Sequence, residues 1–335
     1  MDFRLGEDER ALQRATRELL ARLWPPEALR AALDAPGPSR LDRGLWRALG
    51  RAGLFALRLP SERGGVGLGP VAAVVVFEEV GRALLPGPLI ATHLAAGVVV
   101  GAATGERVVT RVDGDLVPWL AESDAVLRED GPAAGAGGDG AGAGGRAAEG
   151  VPGAVADGMA ARSATRAVPG AVALRSVDPL TPLHRLPAGA PRAPFDAYAA
   201  LLTAAEQLGS AARTTEMAVR HAREREQFGR PIGSFQAVKH LCAEMLVRTE
   251  TARAAVHGAA VTGGRAEIAG ARLLADEAAV GNARDCLQIH GGMGFTWEAE
   301  VHPHLKRAWV RARLRPTAVE AEEILAEALR VVRQL

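Results

Sequence analysis

The chain has 335 residues, 48% hydrophobic and 24% charged, with 40 Lys+Arg against 39 Asp+Glu and a formal net charge of +1. This is the composition of a soluble globular protein with apolar matter for a sizeable core, and it excludes a disordered chain. The balanced charge argues against a dedicated nucleic-acid binder, which carries a strongly basic face.

Residues 1–9 mix acids into the start and lack the basic and apolar regions of a secretory signal, so a cytoplasmic protein is expected. From Leu5 to Val100 the pattern is helical. Leu12, Thr16, Leu19 and Leu20 recur at helical spacing until Pro25 and Pro26, which are expected to stop that helix. A second helix is expected over residues 41–52, with Gly53 in the C-capping place. Residues 59–70 are dense in Gly and Pro and read as a loop. Their glycine run, residues 63–69, is not a phosphate loop, because no strand precedes it and no Gly-Lys-Ser/Thr follows. A helix through Val80 and Leu84 to Pro86 comes next. Its apolar run meets Glu78 and Glu79 well short of the roughly 18 residues a membrane span needs, so no membrane segment is expected.

Between residues 104 and 194 the helical period disappears. Short apolar runs such as Val108-Val109, Ala154-Val155-Ala156 and Val172-Ala173-Leu174 alternate with Gly, Pro and Asp, which predicts a small β-domain. Residues 131–150 are largely Gly and Ala, and a flexible loop or degraded hairpin is expected there.

The helical signal returns from Phe195. Phe235, Val238, Cys242, Met245, Thr249, Ala252, Val256 and Ala259 alternate by three and four, and Leu201, Ala205, Leu208, Ala212, Thr215 and Ala218 do nearly the same. With further helices over residues 267–289 and 317–335, this predicts an antiparallel C-terminal four-helix bundle. Cys242 and Cys286 lie in apolar helical patterns and read as small buried hydrophobes. His302 and His304 with Glu298 and Glu300 lack the i,i+4 spacing of a helical zinc site, so no metal is expected. Arg307, Arg311, Arg313 and Arg315 read as a solvated helix end or a subunit contact.

Two segments carry chemistry. Residues 223–236, including Arg225, Phe228, Gly229, Pro231, Ser234 and Gln236, break a helix and restart it with Ser234 as N-cap. Arginines at such a break can present a planar fork to a phosphate or carboxylate, or form a solvated helix end with ion pairs. Residues 288–298 place Gln288 before Gly291, Gly292 and Gly294. These glycines allow a ligand close to the backbone, or form a plain C-capping turn.

The Arg-Glu-Gln-Phe-Gly run at 225–229 and the Gln-Ile-His-Gly-Gly-Met-Gly-Phe run at 288–295, in this order, resemble the acyl-CoA dehydrogenase family. The resemblance covers the whole chain. It implies a mainly α fold with an N-terminal helical domain (1–103), a reduced β-barrel-like middle domain (104–194) and the C-terminal four-helix bundle (195–335). It implies an FAD flavoprotein that introduces an α,β double bond into an acyl-CoA thioester, with an electron-transfer flavoprotein as acceptor. By position, Arg225 and Phe228 would contact the pyrophosphate and ring side of FAD across a subunit interface, with Gln236 on the following helix. Gln288, Gly291 and Gly292 would hold its adenosine-diphosphate half. Oligomerisation is thereby part of cofactor binding, as a homo-oligomer or a heterotetramer with a second acyl-CoA dehydrogenase subunit.

The family's catalytic Glu usually follows the Gly-Gly motif or precedes the Arg-Glu-Gln-Phe-Gly motif. The first place falls here on residues 313–317, without a carboxylate, and the second near Tyr198, with Asp196 the nearest acid. Glu206 and Glu216 remain as substitutes, Glu206 being the candidate base. In the middle domain the family's flavin-facing run becomes residues 120–125 after Trp119. A chain that keeps the diphosphate-side motifs and loses base and flavin wall resembles the lighter, non-catalytic partner in heteromeric members of the family, as in actinobacterial sterol-side-chain enzymes. A self-sufficient homo-oligomer using Glu206 is the alternative.

Overall fold

The computed structural model describes residues 5–129, 162–165, 168–189 and 195–332. The expected residues 131–150 and the expected strand at residues 154–156 lie outside these. The first block holds helices α1 (Glu7–Leu23), α2 (Pro26–Asp34), α3 (Arg43–Arg51), α4 (Pro70–Arg82) and α5 (Leu89–Ala95). Pro25 and Pro26 do end α1, but Pro26 also opens α2, since a proline at the first helical position gives up only an N–H that has no partner there. Asp42 caps α3, accepting from the N–H groups of Gly44 (2.7 Å) and Leu45 (3.1 Å), and Gly53 follows its end at φ 82°.

Among its described residues the middle block consists of short strands and one 3-10 turn, Leu120–Glu122. Strand β1 (Val109–Arg111) pairs in parallel with β3 (Ala125–Glu129), Val109 opposite Ala125, and β3 pairs antiparallel with β4 (Arg162–Thr165). A second sheet runs β2 (Leu116–Pro118), β6 (Leu183–Arg185), β5 (Val172–Leu174), all antiparallel and centred on His184.

The third block contains α6 (Ala197–Glu224), the short hairpin β7 (Glu226–Gln227) and β8 (Arg230–Pro231), α7 (Gln236–Thr262), α8 (Arg265–His290), α9 (His302–Arg311) and α10 (Ala318–Val332). The bundle therefore carries an additional short helix, α9, between its third and last long helices. Asp196 caps α6, accepting from the Ala199 N–H at 2.9 Å. Ser234 does not cap α7. It sits in a 3-10 turn closed by the Phe235 N–H on the Ile232 carbonyl (3.1 Å), so α7 starts after Phe235 with no side-chain cap. Among the described residues no helix is long and apolar enough to cross a membrane.

Helix α6 is the centre of the molecule, buried on nearly every face between α4, α7 and α8. It packs tightly against α4, and two glycines make that approach possible. A methyl at Gly81 would fall onto the backbone carbonyl of Glu206, and one at Gly209 onto that of Glu78. The acids that interrupt the apolar run of α4 are buried and paired with cations that reach in from neighbouring helices. Glu78 meets Arg253 and His257 of α7, and Glu79 meets Arg17 of α1 through two bonds of 2.7 and 2.8 Å.

Gly209→Ala is expected to lower unfolding free energy by about 3 kcal/mol, because the backbone it strikes has no room to retreat. Gly270→Ala, on α8 with only a Leu325 methyl at 3.8 Å, is expected to be neutral or to stabilise by up to about 1 kcal/mol. Paired denaturant titrations of the two variants measure the contrast.

Candidate functional site

Both motifs come together at one end of the bundle. His221, in the last turn of α6, stacks on His290, the last residue of α8, with ring centroids 4.0 Å apart and an interplanar angle of 17°. The Arg225 N–H donates to the His221 carbonyl at 2.8 Å, and Gly291 follows His290 directly. The stack thus joins the start of one motif to the glycine turn of the other.

The hairpin between α6 and α7 turns at Phe228 and Gly229, both with positive φ, 55° and 75°. That pair of angles belongs to a type I′ turn, where Asn or Gly fits and phenylalanine is strained. The Phe228 ring is nonetheless 90% exposed. Its edge faces Phe235 (centroids 6.0 Å), whose ring also carries the Arg230 guanidinium at 4.3 Å. A strained backbone holding a large ring in water points to function, since neither packing nor turn preference favours it.

Gly291 takes φ 63°, ψ −144°, a conformation essentially restricted to glycine, and opens the 3-10 turn Gly291–Phe295. A Cβ at Gly291 or Gly292 would meet open space. Arg225, Gln236, Gln288 and Gly292 are exposed, and Gly291 is half-buried. All six residues singled out by the sequence therefore lie at the surface, in the α6–α7 connection or at the end of α8.

Glu206 stands apart from them, 19 residues before Arg225 on the same helix, which is about 28 Å along the axis. It is 5% exposed and lines a cavity of about 80 Å³ where all three blocks meet, with Leu89, Trp119, Thr203 and Arg311 among its walls. Its carboxylate lies 2.9 Å from the Arg311 guanidinium. Burial raises the Glu206 carboxyl above the usual carboxylate range, while Arg311, Arg307 and Arg272 draw it back down. Burial also pushes Arg311 down to about 10, which leaves it a cation at neutral pH. Glu216 pairs with Arg82 of α4 and stays half exposed.

Arg307 and Arg311 are not at a solvated helix end. Each is 4% exposed. Arg307 donates to the Asp178 carboxylate and to the carbonyls of Leu85 (3.2 Å) and Leu180 (3.4 Å). Arg272 of α8, equally buried, reaches Asp276 (3.0 Å) and the Arg311 carbonyl. For Arg307 and Arg311 acids from elsewhere in the chain, Asp178 and Glu206, replace water, a pairing that local sequence does not display. Arg313 is exposed, and Arg315 pairs with Glu320 at 2.7 Å.

His302 and His304 turn to different partners. The His302 Nε2 faces the Trp297 carbonyl at 2.9 Å, and the His304 Nδ1 faces the Ser210 hydroxyl at 2.8 Å. Among the described residues no group of His, Cys, Asp or Glu is arranged to hold a metal ion. Cys242 and Cys286 are free thiols, and burial raises both, Cys286 to about 12.

Arg311→Met is expected to cost about 3–5 kcal/mol, because it leaves the Glu206 carboxylate buried and unpaired. Glu206→Gln, which keeps a polar group of the same shape, is expected to cost less, and equilibrium unfolding of the two variants ranks them. Burial, with four neighbouring arginines, holds His304 well below the usual imidazole range. The unfolded chain therefore binds more protons at this position on acidification from pH 7.5 to 5.5, and the fold loses stability there as pH falls. His304→Asn is expected to flatten that dependence relative to the parent, as read from melting temperatures across the window.

Two family models match the chain, "Acyl-CoA dehydrogenase, N-terminal domain" over residues 6–107 and "Acyl-CoA dehydrogenase, C-terminal domain" over residues 197–330. Acyl-CoA dehydrogenase IpdE2 of Mycobacterium tuberculosis is 35% identical over 317 residues, covering 92% of this chain and 93% of that protein. IpdE2 of Mycolicibacterium smegmatis is 34% identical, covering 92% and 95%. The ChsE4–ChsE5 complex from Mycobacterium tuberculosis contains a chain of the same fold, with a TM-score of 0.76 and 24% identity over all of both chains. The helical front, the small sheets, the long-helix bundle and the two end-of-bundle motifs thus have one source: the chain belongs to the acyl-CoA dehydrogenase family.

Proposed function

We propose that this chain is the cofactor-completing subunit of a heteromeric acyl-CoA dehydrogenase in the cytoplasm. It lends its Arg225 and Gly291–Gly292 end to the FAD of a partner subunit, which carries out the α,β-dehydrogenation of the acyl-CoA thioester. The family is FAD-dependent. The observation that carries the reading is the contrast between exposed motif residues at one end of the bundle and a small cavity in which the candidate base Glu206 is already paired with Arg311.

The open end fits the diphosphate half of the cofactor. Gly291 and Gly292 leave room for close backbone approach, Arg225 offers a planar cation to phosphate oxygens, and Phe228 offers an exposed apolar ring. Gln236 and Gln288 add exposed amides to the two sides. The cavity does not fit the other half. At about 80 Å³ it is far below the roughly 300–1,000 Å³ of ligand pockets, and its Glu206 carboxylate is held by Arg311. Bound FAD supplies a hydride acceptor. In this reading the residues of this chain hold and orient the cofactor, and Glu206 serves the fold. Electrons leave the assembly through an electron-transfer flavoprotein. The ChsE4–ChsE5 complex supplies a precedent, within the same fold, for assembly from two differently named chains.

The test is the flavin-to-chain ratio of the protein purified alone and co-expressed with a second acyl-CoA dehydrogenase. Little flavin alone, and about one flavin per two chains in a stable mixed complex, is expected. About one flavin per chain alone would overturn the reading in favour of a self-sufficient homo-oligomer, in which Glu206→Gln abolishes turnover with flavin retained. Phe228→Asn is expected to stabilise the chain by about 1 kcal/mol by relieving the left-handed strain, and to weaken flavin retention in the complex. Thermal melting and flavin release read the two effects separately.

A further inference from the structure

Trp297 lies two residues beyond the Gly291–Phe295 turn and is held from several directions. Its indole N–H donates to Asp34 Oδ1 at 2.7 Å, and its carbonyl accepts from Arg30 Nη1 at 2.7 Å. His302 stacks on its ring (centroids 4.9 Å, 26°), with the Lys306 ammonium 4.7 Å and the Arg30 guanidinium 5.5 Å from the ring centroid. Arg30 and Asp34 are clamped to each other by two bonds of 2.6 and 3.0 Å, one helical turn apart at the end of α2. The neighbouring Thr296 returns to the turn itself, its N–H and Oγ donating to the Met293 carbonyl at 3.2 and 3.0 Å.

The turn needs such a hold. Gly292, Met293 and Phe295 are exposed, and a glycine-rich segment loses much conformational freedom when ordered. Helix α8 fixes its first residue, and the route Trp297–Thr296–Met293 fixes its far side. A ligand that meets a loose turn must order it on binding and is held correspondingly less tightly.

We propose that Arg30 and Asp34 of α2 are positioning residues that, through Trp297, set the shape in which the Gly291–Phe295 turn meets the cofactor. This rests on the cofactor-completing reading above. Exposed clamps contribute little to global stability, so the effect is local order in the turn.

Hydrogen exchange on the flavin-free full chain tests the hold directly. Asp34→Ala and Trp297→Phe are each expected to raise exchange at residues 291–297 by about tenfold, the double variant by little more than either. Arg43→Ala, which removes an exposed ion pair with Asp124 away from the turn, is expected to leave it unchanged. In the flavin-loaded assembly, Asp34→Ala is expected to speed flavin release about fivefold with the melting temperature nearly constant. Arg225→Ala is the control for the cofactor reading. Unchanged exchange in both single variants overturns the proposal. So does raised exchange with unaltered flavin release when Arg225→Ala does release flavin. If Arg225→Ala also leaves flavin in place, the cofactor reading fails instead, and the exchange data alone decide whether α2 shapes the turn.

Discussion

Arg307 and Arg311 project from α9 into the space where the front helices, the small sheets and the long helices meet, and water is excluded from both. A guanidinium cannot shed its charge there, so acids and carbonyls must be brought to it. Asp178 comes from the middle block, the Leu85 carbonyl from the front block and Glu206 from α6. These partners are what make three stretches of chain one body. They also bear on the chemistry, since the Glu206 carboxylate that lines the central cavity is already paired with Arg311.

That commitment leaves the reactive-looking residues at the other end of α6. There the His221–His290 stack joins two helix ends, and strained Phe228 and Gly291 face outward. The charges at the centre are buried and paired with one another, whereas the motif residues at the margin are exposed. That arrangement supports the cofactor-completing role proposed above, and the α2 clamp on Trp297 lies beside it in the chain's own fold.

Much of this was legible in the sequence. The three-four alternation gave α6 and α7 their buried stripes, with Met245, Thr249, Ala252, Val256 and Ala259 all buried as expected. Both motifs fall at helix ends and at the surface, as their glycines and charges at helix breaks imply, because those are local signals. Long-range pairing was not legible. Arg307 finds Asp178 from 129 residues away, so it read as a solvated ion, and Glu78 finds Arg253 from 175. Helices α2 and α5 were too short to stand out, and Pro26 read as a stop when it was also a start. The place of Trp297 depends on Asp34, 263 residues earlier, and only the fold brings them together.

Helices α4 and α6 interlock reciprocally where they cross. Gly81 seats the carbonyl of Glu206, and Gly209 seats that of Glu78, so each helix carries both a notch and the tooth for the other's notch. Sliding one helix past the other by one turn, about 5.4 Å, would disengage both contacts at once and pull the moving helix's acid off its counter-ion, Glu78 from Arg253 if α4 moved or Glu206 from Arg311 if α6 did. The pair of helices has a single indexed setting, and the charge pattern of the interior is read off against it.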